Sequence, residues 1–138
     1  MKDVLASPLA GQLLSAAGAN LVIAEWTAEG CEEGAEPYWI APLHLHREDD
    51  EAWYVLEGTL GFRIGGQIIE AKAGDSVMVP RGTAHTYWNP KAEPARYLLI
   101  MTARINELIQ SIHAASDRSE EAMRKLFEQY EAELIGWY

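Results

Sequence analysis

The sequence predicts an all-β barrel or sandwich followed by a helical tail, and three observations carry that prediction. Between about residues 20 and 102, short runs of β-branched, aromatic and aliphatic residues are broken at close intervals by Gly, Pro and Asn. Helical periodicity is absent from the same stretch. After Met101 the pattern changes, and apolar residues recur at helical spacing. A chain of 138 residues can bury one real core, so the expected organisation is a single barrel at 20–102, an N-terminal extension at 1–19 and a C-terminal helical tail at 103–138.

The extension carries only a weak apolar pattern, Leu5, Leu9, Leu13 and Leu14, which suits a short strand or helix laid over the barrel. Strands are predicted at 21–26, 38–46, 52–56, 59–64, 67–71, 76–79, 84–88 and 96–101. Turns such as Glu57-Gly58, Gly65-Gly66 and Ala73-Gly74-Asp75 join them, and Gly65-Gly66 is the strongest hairpin signal because both positions tolerate φ > 0. In the tail, Ile105, Leu108, Ile109 and Ile112 make one stripe, and Met123, Leu126, Phe127, Tyr130 and Leu134 make a second. Asp117 to Glu120 has the form of a capping box for the second helix, after a break at Ala114-Ala115-Ser116.

Charge narrows the functions. With 21 acidic and 11 basic residues the net charge is −10, which disfavours nucleic acid and anionic membranes and favours solubility. No run approaches the length of a membrane span, and Met1-Lys2-Asp3-Val4 lacks the apolar core of a secretory signal, so the expected location is the cytoplasm. The lone Cys31 has no second cysteine for a disulfide or a thiolate metal site.

The chemistry-bearing segment is Pro42 to Gly58. Alternate side chains of a strand share a face, so His44 and His46 emerge together, about 7 Å apart along the chain, and can reach one ion. Arg47 to Asp50 suits a chain reversal, which would open the next antiparallel strand at Glu51 beside the histidines and make its carboxylate the third donor. Glu48, Asp49 and Asp50 are then expected in the solvated turn. Farther on, a strand ends at Pro80, a turn containing Gly82 follows, and His85 opens another strand with Tyr87 on its face, supplying a third imidazole. Turn and strand-end needs account for Gly58, Gly74, Pro80, Gly82 and Asn89 without a role in chemistry.

These residues fall into two motifs, His44-x-His46-x4-Glu51-x6-Gly58 and Gly74-x5-Pro80-x-Gly82-x2-His85-x3-Asn89. Both resemble the paired motifs of the cupin superfamily, and the short interval between them resembles small single-domain members. The resemblance implies a double-stranded β-helix, the jelly-roll cupin barrel, holding one metal ion through residues matching His44, His46, Glu51 and His85. Three imidazoles and a carboxylate suit a divalent transition ion (Fe, Mn, Ni, Co, Cu or Zn) better than Ca²⁺, and four protein ligands leave open positions on an octahedral ion.

Strand parity extends the ligand face to Tyr38, Ile40 and Pro42 before His44, to Trp53 and Val55 after Glu51, and to Tyr87 after His85. The predicted pocket is apolar and aromatic, suited to a small organic molecule. The segment 126–136 weakly resembles the tail of quercetinase-like cupins, although Gly136 is followed here by Trp137-Tyr138. That resemblance implies a dioxygenase acting on an aromatic or enolic substrate, with Glu51 both holding the metal and taking a substrate proton. A small-ligand binding or sensing cupin without turnover is the alternative, and a metal-dependent isomerase the third, since only Arg63, Arg81 and Arg96 lie in the barrel to meet a phosphate. Outward-facing Trp39, Leu43 and Leu45, with the striped helices, predict a homodimer; the helices can alternatively cover the barrel mouth as a lid.

Overall fold

Along residues 95–102 buried and half-exposed side chains alternate without a break, the period-two signature of a strand with one face on a core. The computed structural model describes residues 4–7, 9–36 and 38–136, and within them that pattern repeats through two sheets. The strands are β1 (Leu13–Leu14), β2 (Leu21–Ala28), β3 (Leu43–His46), β4 (Glu51–Glu57), β5 (Thr59–Ile64), β6 (Gln67–Lys72), β7 (Ser76–Val79), β8 (His85–Trp88), β9 (Ala95–Thr102) and β10 (Ala132–Gly136), with helices α1 (Ala103–Ala114) and α2 (Glu120–Gln129) between β9 and β10.

One sheet runs β1-β2-β9-β4-β7 and the other β10-β3-β8-β5-β6. Every pairing between these strands is antiparallel, and the two faces enclose a core containing Trp53, Val55, Leu60, Phe62, Tyr97 and Leu99. This is the double-stranded β-helix the motifs imply, with the jelly-roll strand order that alternates between sheets. Among the described residues no helix is long and apolar enough to cross a membrane.

The structure revises several expectations. The strand expected at 38–46 begins only at Leu43; Ile40 instead donates its backbone N–H to Tyr87 O, leaving residues 38–42 outside the strand. The N-terminal extension contributes the two-residue β1 at the edge of the first sheet, and Leu5 stays exposed. At the Gly65-Gly66 hairpin only Gly65 takes a positive φ, of 57°.

The C-terminal tail is not wholly helical. Glu131 adopts φ 58°, the left-handed conformation that ends α2, and the chain turns back as β10 along β3. Leu134, expected on the α2 stripe, therefore sits on a strand directly opposite His44, where it joins Leu108, Met123, Phe127 and Ala132 in a second apolar cluster. Ser119, not Asp117, caps α2, accepting a hydrogen bond from Ala122 N at 3.2 Å. Asp117 Oδ1 accepts from Ser119 N at 3.0 Å and so orients the cap. Leu43 and Leu45, on the strand beside β10, are half-buried.

Gly58 links β4 to β5 with φ 78°, and a Cβ there would lie 2.7 Å from Pro94 O and 2.9 Å from Ala95 Cα. Neither backbone atom can move without disturbing the start of β9. Gly58→Ala is expected to destabilise the fold by about 1–3 kcal/mol or more, read as a lower urea midpoint at unchanged m-value. An unchanged midpoint would contradict this account of the turn.

Candidate metal centre

Register brings the three histidines together. His44 and His46 occupy alternate positions of β3 and face inward, and the β3–β8 pairing sets His44 directly opposite His85. The Gly82 backbone N–H donates to His46 O at 2.7 Å, anchoring the turn before β8 to the end of β3. Glu51 arrives from elsewhere than the sequence suggested. β4 pairs with β7 and β9, so the segment 47–50 carries the chain across to the facing sheet and Glu51 reaches the histidines across the barrel interior.

The crossing is held by side chains expected to be only solvated. Asp50 accepts from Arg81 N at 2.9 Å and from Arg81 Nε and Nη2 at 3.2 and 3.0 Å, tying the segment before Glu51 to the turn before His85. These bonds hold the Asp50 carboxyl below its usual range. Asp49 is buried, 3.6 Å from Arg104 Nε on α1.

One donor atom from each of His44, His46, Glu51 and His85 can be chosen so that all lie within 4.8 Å of one another, and all four residues are buried. The backbone fixes two of the rings. His44 Nδ1 lies 2.6 Å from Pro42 O and His85 Nδ1 3.0 Å from Thr83 O. A carbonyl only accepts, so each Nδ1 carries the proton and, in the neutral ring, each Nε2 presents a lone pair to the centre. There His44 Nε2 meets His46 Nε2 at 3.2 Å, and Glu51 Oε1 stands 3.0 Å from His85 Nε2 and 3.4 Å from His46 Nε2. His46 Nδ1 is buried with no hydrogen-bond partner among the described residues.

Electrostatics keep these groups as electron-pair donors. Burial, then the neighbouring His85 and His46, push His44 down to about 3, so it stays neutral. Burial alone would raise the Glu51 carboxyl, but hydrogen bonds with His46 and His85 outweigh it and hold the group well below the usual carboxylate range. The Glu51 Oε1–His85 Nε2 contact at 3.0 Å is bridged by a proton on Nε2 or by a cation shared between the two atoms. Three imidazoles and a carboxylate together fit a transition ion.

A cavity of about 530 Å³ opens beside the cluster. Trp53 and Tyr87 line it, in line with strand parity, and so do Ile40 and Pro42, although both precede the strand. Val55 does not: it lies farther along β4, fully buried in the core. Tyr38 does not either, because it precedes the strand; it is 78% exposed and borders a separate depression with Cys31 and Asn89. Sequence parity missed Tyr97, whose inward face was legible in the alternation Ala95, Tyr97, Leu99, Met101 of β9. It also missed the helices, which supply Ile105, Leu108, Met123 and Phe127 to the cavity wall. The Phe127 ring packs 5.6 Å from that of His44. Of the two arrangements open for the helices, they cover the cavity.

Fold and site together define a double-stranded β-helix with a buried three-histidine, one-glutamate cluster beside an apolar chamber. A cupin-domain family model matches residues 33–101, half of the chain, and the chain belongs to that family. An oxidoreductase, iacF, from Pestalotiopsis fici is 42% identical over 48 residues, 34% of this chain and 24% of the relative. Among solved structures, a putative sugar phosphate isomerase from Acidithiobacillus ferrooxidans superposes with a TM-score of 0.52 at 25% identity, over 61% of this chain and 51% of that one. A cupin protein from Bacteroides fragilis gives 0.51 at 20% identity, over 61% and 66%. The chain thus spans less than two thirds of the length of each of these relatives.

The depressed His44 makes the stability of the metal-free chain pH-dependent. Below its ordinary value of 6.5 the unfolded chain takes up a proton that folded His44 refuses until about pH 3. Stability present above pH 6.5 is therefore expected to fall as the pH drops toward 3, by up to ~1.4 kcal/mol per pH unit from this group. Urea unfolding of EDTA-treated protein between pH 4 and 8 reads the slope, which His44→Leu should flatten; an identical slope in that variant would remove His44 as its source.

Proposed function

We propose that this chain is a metal-dependent cupin that holds one divalent transition ion on His44, His46, Glu51 and His85 and binds a small aromatic or enolic molecule in the adjoining cavity, acting on it as a dioxygenase-type enzyme. The observation that carries the reading is the convergence of four buried side chains, His44, His46, Glu51 and His85, whose donor atoms lie within 4.8 Å of one another at the edge of the cavity. A bound ion supplies Lewis acidity and, where redox-active, electron transfer to oxygen. The chain supplies the rest. Pro42 O and Thr83 O orient two imidazoles, Trp53 and Tyr87 form an apolar wall beside the cluster, and the helices shield it from solvent. Glu51 lines the cavity within reach of a bound ligand's proton, and it could take that proton only if the ligand displaced part of the histidine contact that holds its carboxyl low.

The isomerase reading, kept in view by the A. ferrooxidans structure, has weaker support. Arg81 is engaged by Asp50, Arg96 by Glu25 and Glu57, Arg63 is exposed, and none of the three lines the cavity to receive a phosphate. Pairing with a second copy belongs to the proposal as well. β6 and β7 end their respective sheets, and there Ile68 and Met78 are 71% and 62% exposed, apolar area that a partner would cover.

Elemental analysis of tag-free protein should find about one transition ion per chain, and His85→Ala should weaken metal affinity beyond the roughly 10–100-fold typical of losing a group that only supports a ligand. Metal-loaded protein should consume oxygen with a flavonol or a 1,3-diketone, and Glu51→Gln should abolish it. Tight binding of such compounds without oxygen uptake would replace the enzyme by a binding module; wild-type protein that takes up no metal would end the reading altogether. For the oligomer, light scattering should exceed the 15.4 kDa of one chain, and a monomeric mass would refute pairing.

A further inference from the structure

Next to the cluster, the cavity wall holds hydrogen-bond donors that the protein leaves without acceptors. Trp53 follows Glu51 by two positions on β4, and Tyr87 follows His85 by two on β8, so each stands on its ligand's face, with Tyr97 beside them on β9. All three line the cavity. Their rings lead away from the histidines in sequence: the Trp53 centroid is 5.7 Å from His85 and 5.3 Å from Tyr87, and Tyr87 is 5.7 Å from Tyr97.

The proton count at this wall does not close. Trp53 is 1% exposed and its Nε1–H, a group that can only donate, has no hydrogen-bond partner among the described residues. The Tyr87 and Tyr97 hydroxyls bond to each other at 2.8 Å. Two hydroxyls carry two protons and their mutual bond uses one, so one O–H also remains unspent. The indole N–H makes a weak approach to the Tyr87 hydroxyl and no well-formed hydrogen bond, which gathers these donors into one patch. An unmade buried hydrogen bond is costly, and such groups concentrate where a ligand completes them. An N–H can only donate and the unspent O–H can turn to do so, so one acceptor atom satisfies both at once, and the apolar surroundings favour an uncharged or delocalised oxygen over a compact, strongly hydrated one.

We propose that Trp53 N–H and the Tyr87–Tyr97 hydroxyl pair form a binding site for a carbonyl or phenolic oxygen of the ligand, separate from the oxygen that meets the His–Glu cluster. The ligand class is thereby an apolar frame bearing two oxygen functions, and these three side chains are its positioning residues. The inference rests on the reading of the cavity as a small-molecule site, but the donors themselves are independent of any metal.

The test uses the full chain, as purified and after EDTA treatment, with acetophenone and ethylbenzene as probes that share a ring and differ by a carbonyl. Acetophenone is expected to bind about five- to tenfold more tightly in both forms, the value of one net hydrogen bond. It should also move the Trp53 indole N–H resonance downfield in ¹⁵N-resolved spectra, the peak being assigned with Trp53→Phe. Tyr87→Phe and Tyr97→Phe, each conserving the ring, should cut the preference to about twofold or less while leaving ethylbenzene affinity within about twofold. Equal binding of the two probes, binding of neither, an unmoved indole resonance, or a preference that survives both tyrosine variants would overturn the proposal. A carbonyl preference in a chain that takes up no metal would sustain this site and sink the metal reading; a metal-loaded chain without the preference would do the reverse.

Discussion

A carboxylate from one sheet meeting three imidazoles from the other is the constraint on which the rest of the molecule depends. Burying Glu51 unpaired would cost several kcal/mol, and its contacts with His46 and His85 offset that cost. The meeting is possible only if the facing sheets keep their relative register. Within one sheet β3 and β8 hold His44 opposite His85, and the crossings to the facing sheet are held by Gly82 N–H on His46 O and by Arg81 gripping Asp50 across the two turns that lead into the cluster. An exposed ion pair is ordinarily worth little, but Arg81 engages Asp50 with two side-chain nitrogens and its own backbone N–H, which fixes geometry where a single contact would not.

The C-terminal segment then completes the barrel. Without β10, the strand bearing two of the four cluster residues would be a sheet edge with unpaired backbone groups. With it, Leu134 and Ala132 face His44 and His46 across the ladder, while Arg47 N–H donates to Glu131 O at 2.8 Å. The helices that lead to β10 pack Leu108, Met123 and Phe127 over the cavity, so one segment supplies both the missing strand and the roof. Arg124 helps hold that return, donating from Nη1 to Leu134 O at 2.6 Å.

How much of this was legible follows from which interactions are local. Period-two parity places His44 with His46 and His85 with Tyr87 in any sequence that forms those strands, and the turn glycines mark the strand ends. Parity fails at Tyr38 because it needs a strand beneath it, and the strand begins at Leu43. It places Val55 on the correct face but says nothing of depth along the barrel. Leu134 fits a helical stripe as well as a strand, and only the left-handed Glu131 decides between them. That Glu51 comes from the facing sheet is a fact of topology, and no residue near it announces the crossing. Asp49 and Asp50 read as solvent-facing because Arg104 and Arg81, which engage them, are distant in sequence.

A division of labour follows along the chain. The motif residues fix the barrel's turns and the cluster, and they would do so around many different chambers. The shape and polarity of this chamber are set instead by Tyr97 on β9, by Trp53 and Tyr87 next to the ligating positions, and by the apolar faces of α1 and α2. These groups differ from the cluster in kind. The cluster converges acceptor nitrogens and a carboxylate on one point, whereas the tyrosine and tryptophan wall holds N–H and O–H groups without acceptors of their own. Under the proposed reading, a ligand that satisfied only one of them would leave the other short, so selectivity would depend on the spacing between two acceptor oxygens and on the apolar frame that joins them.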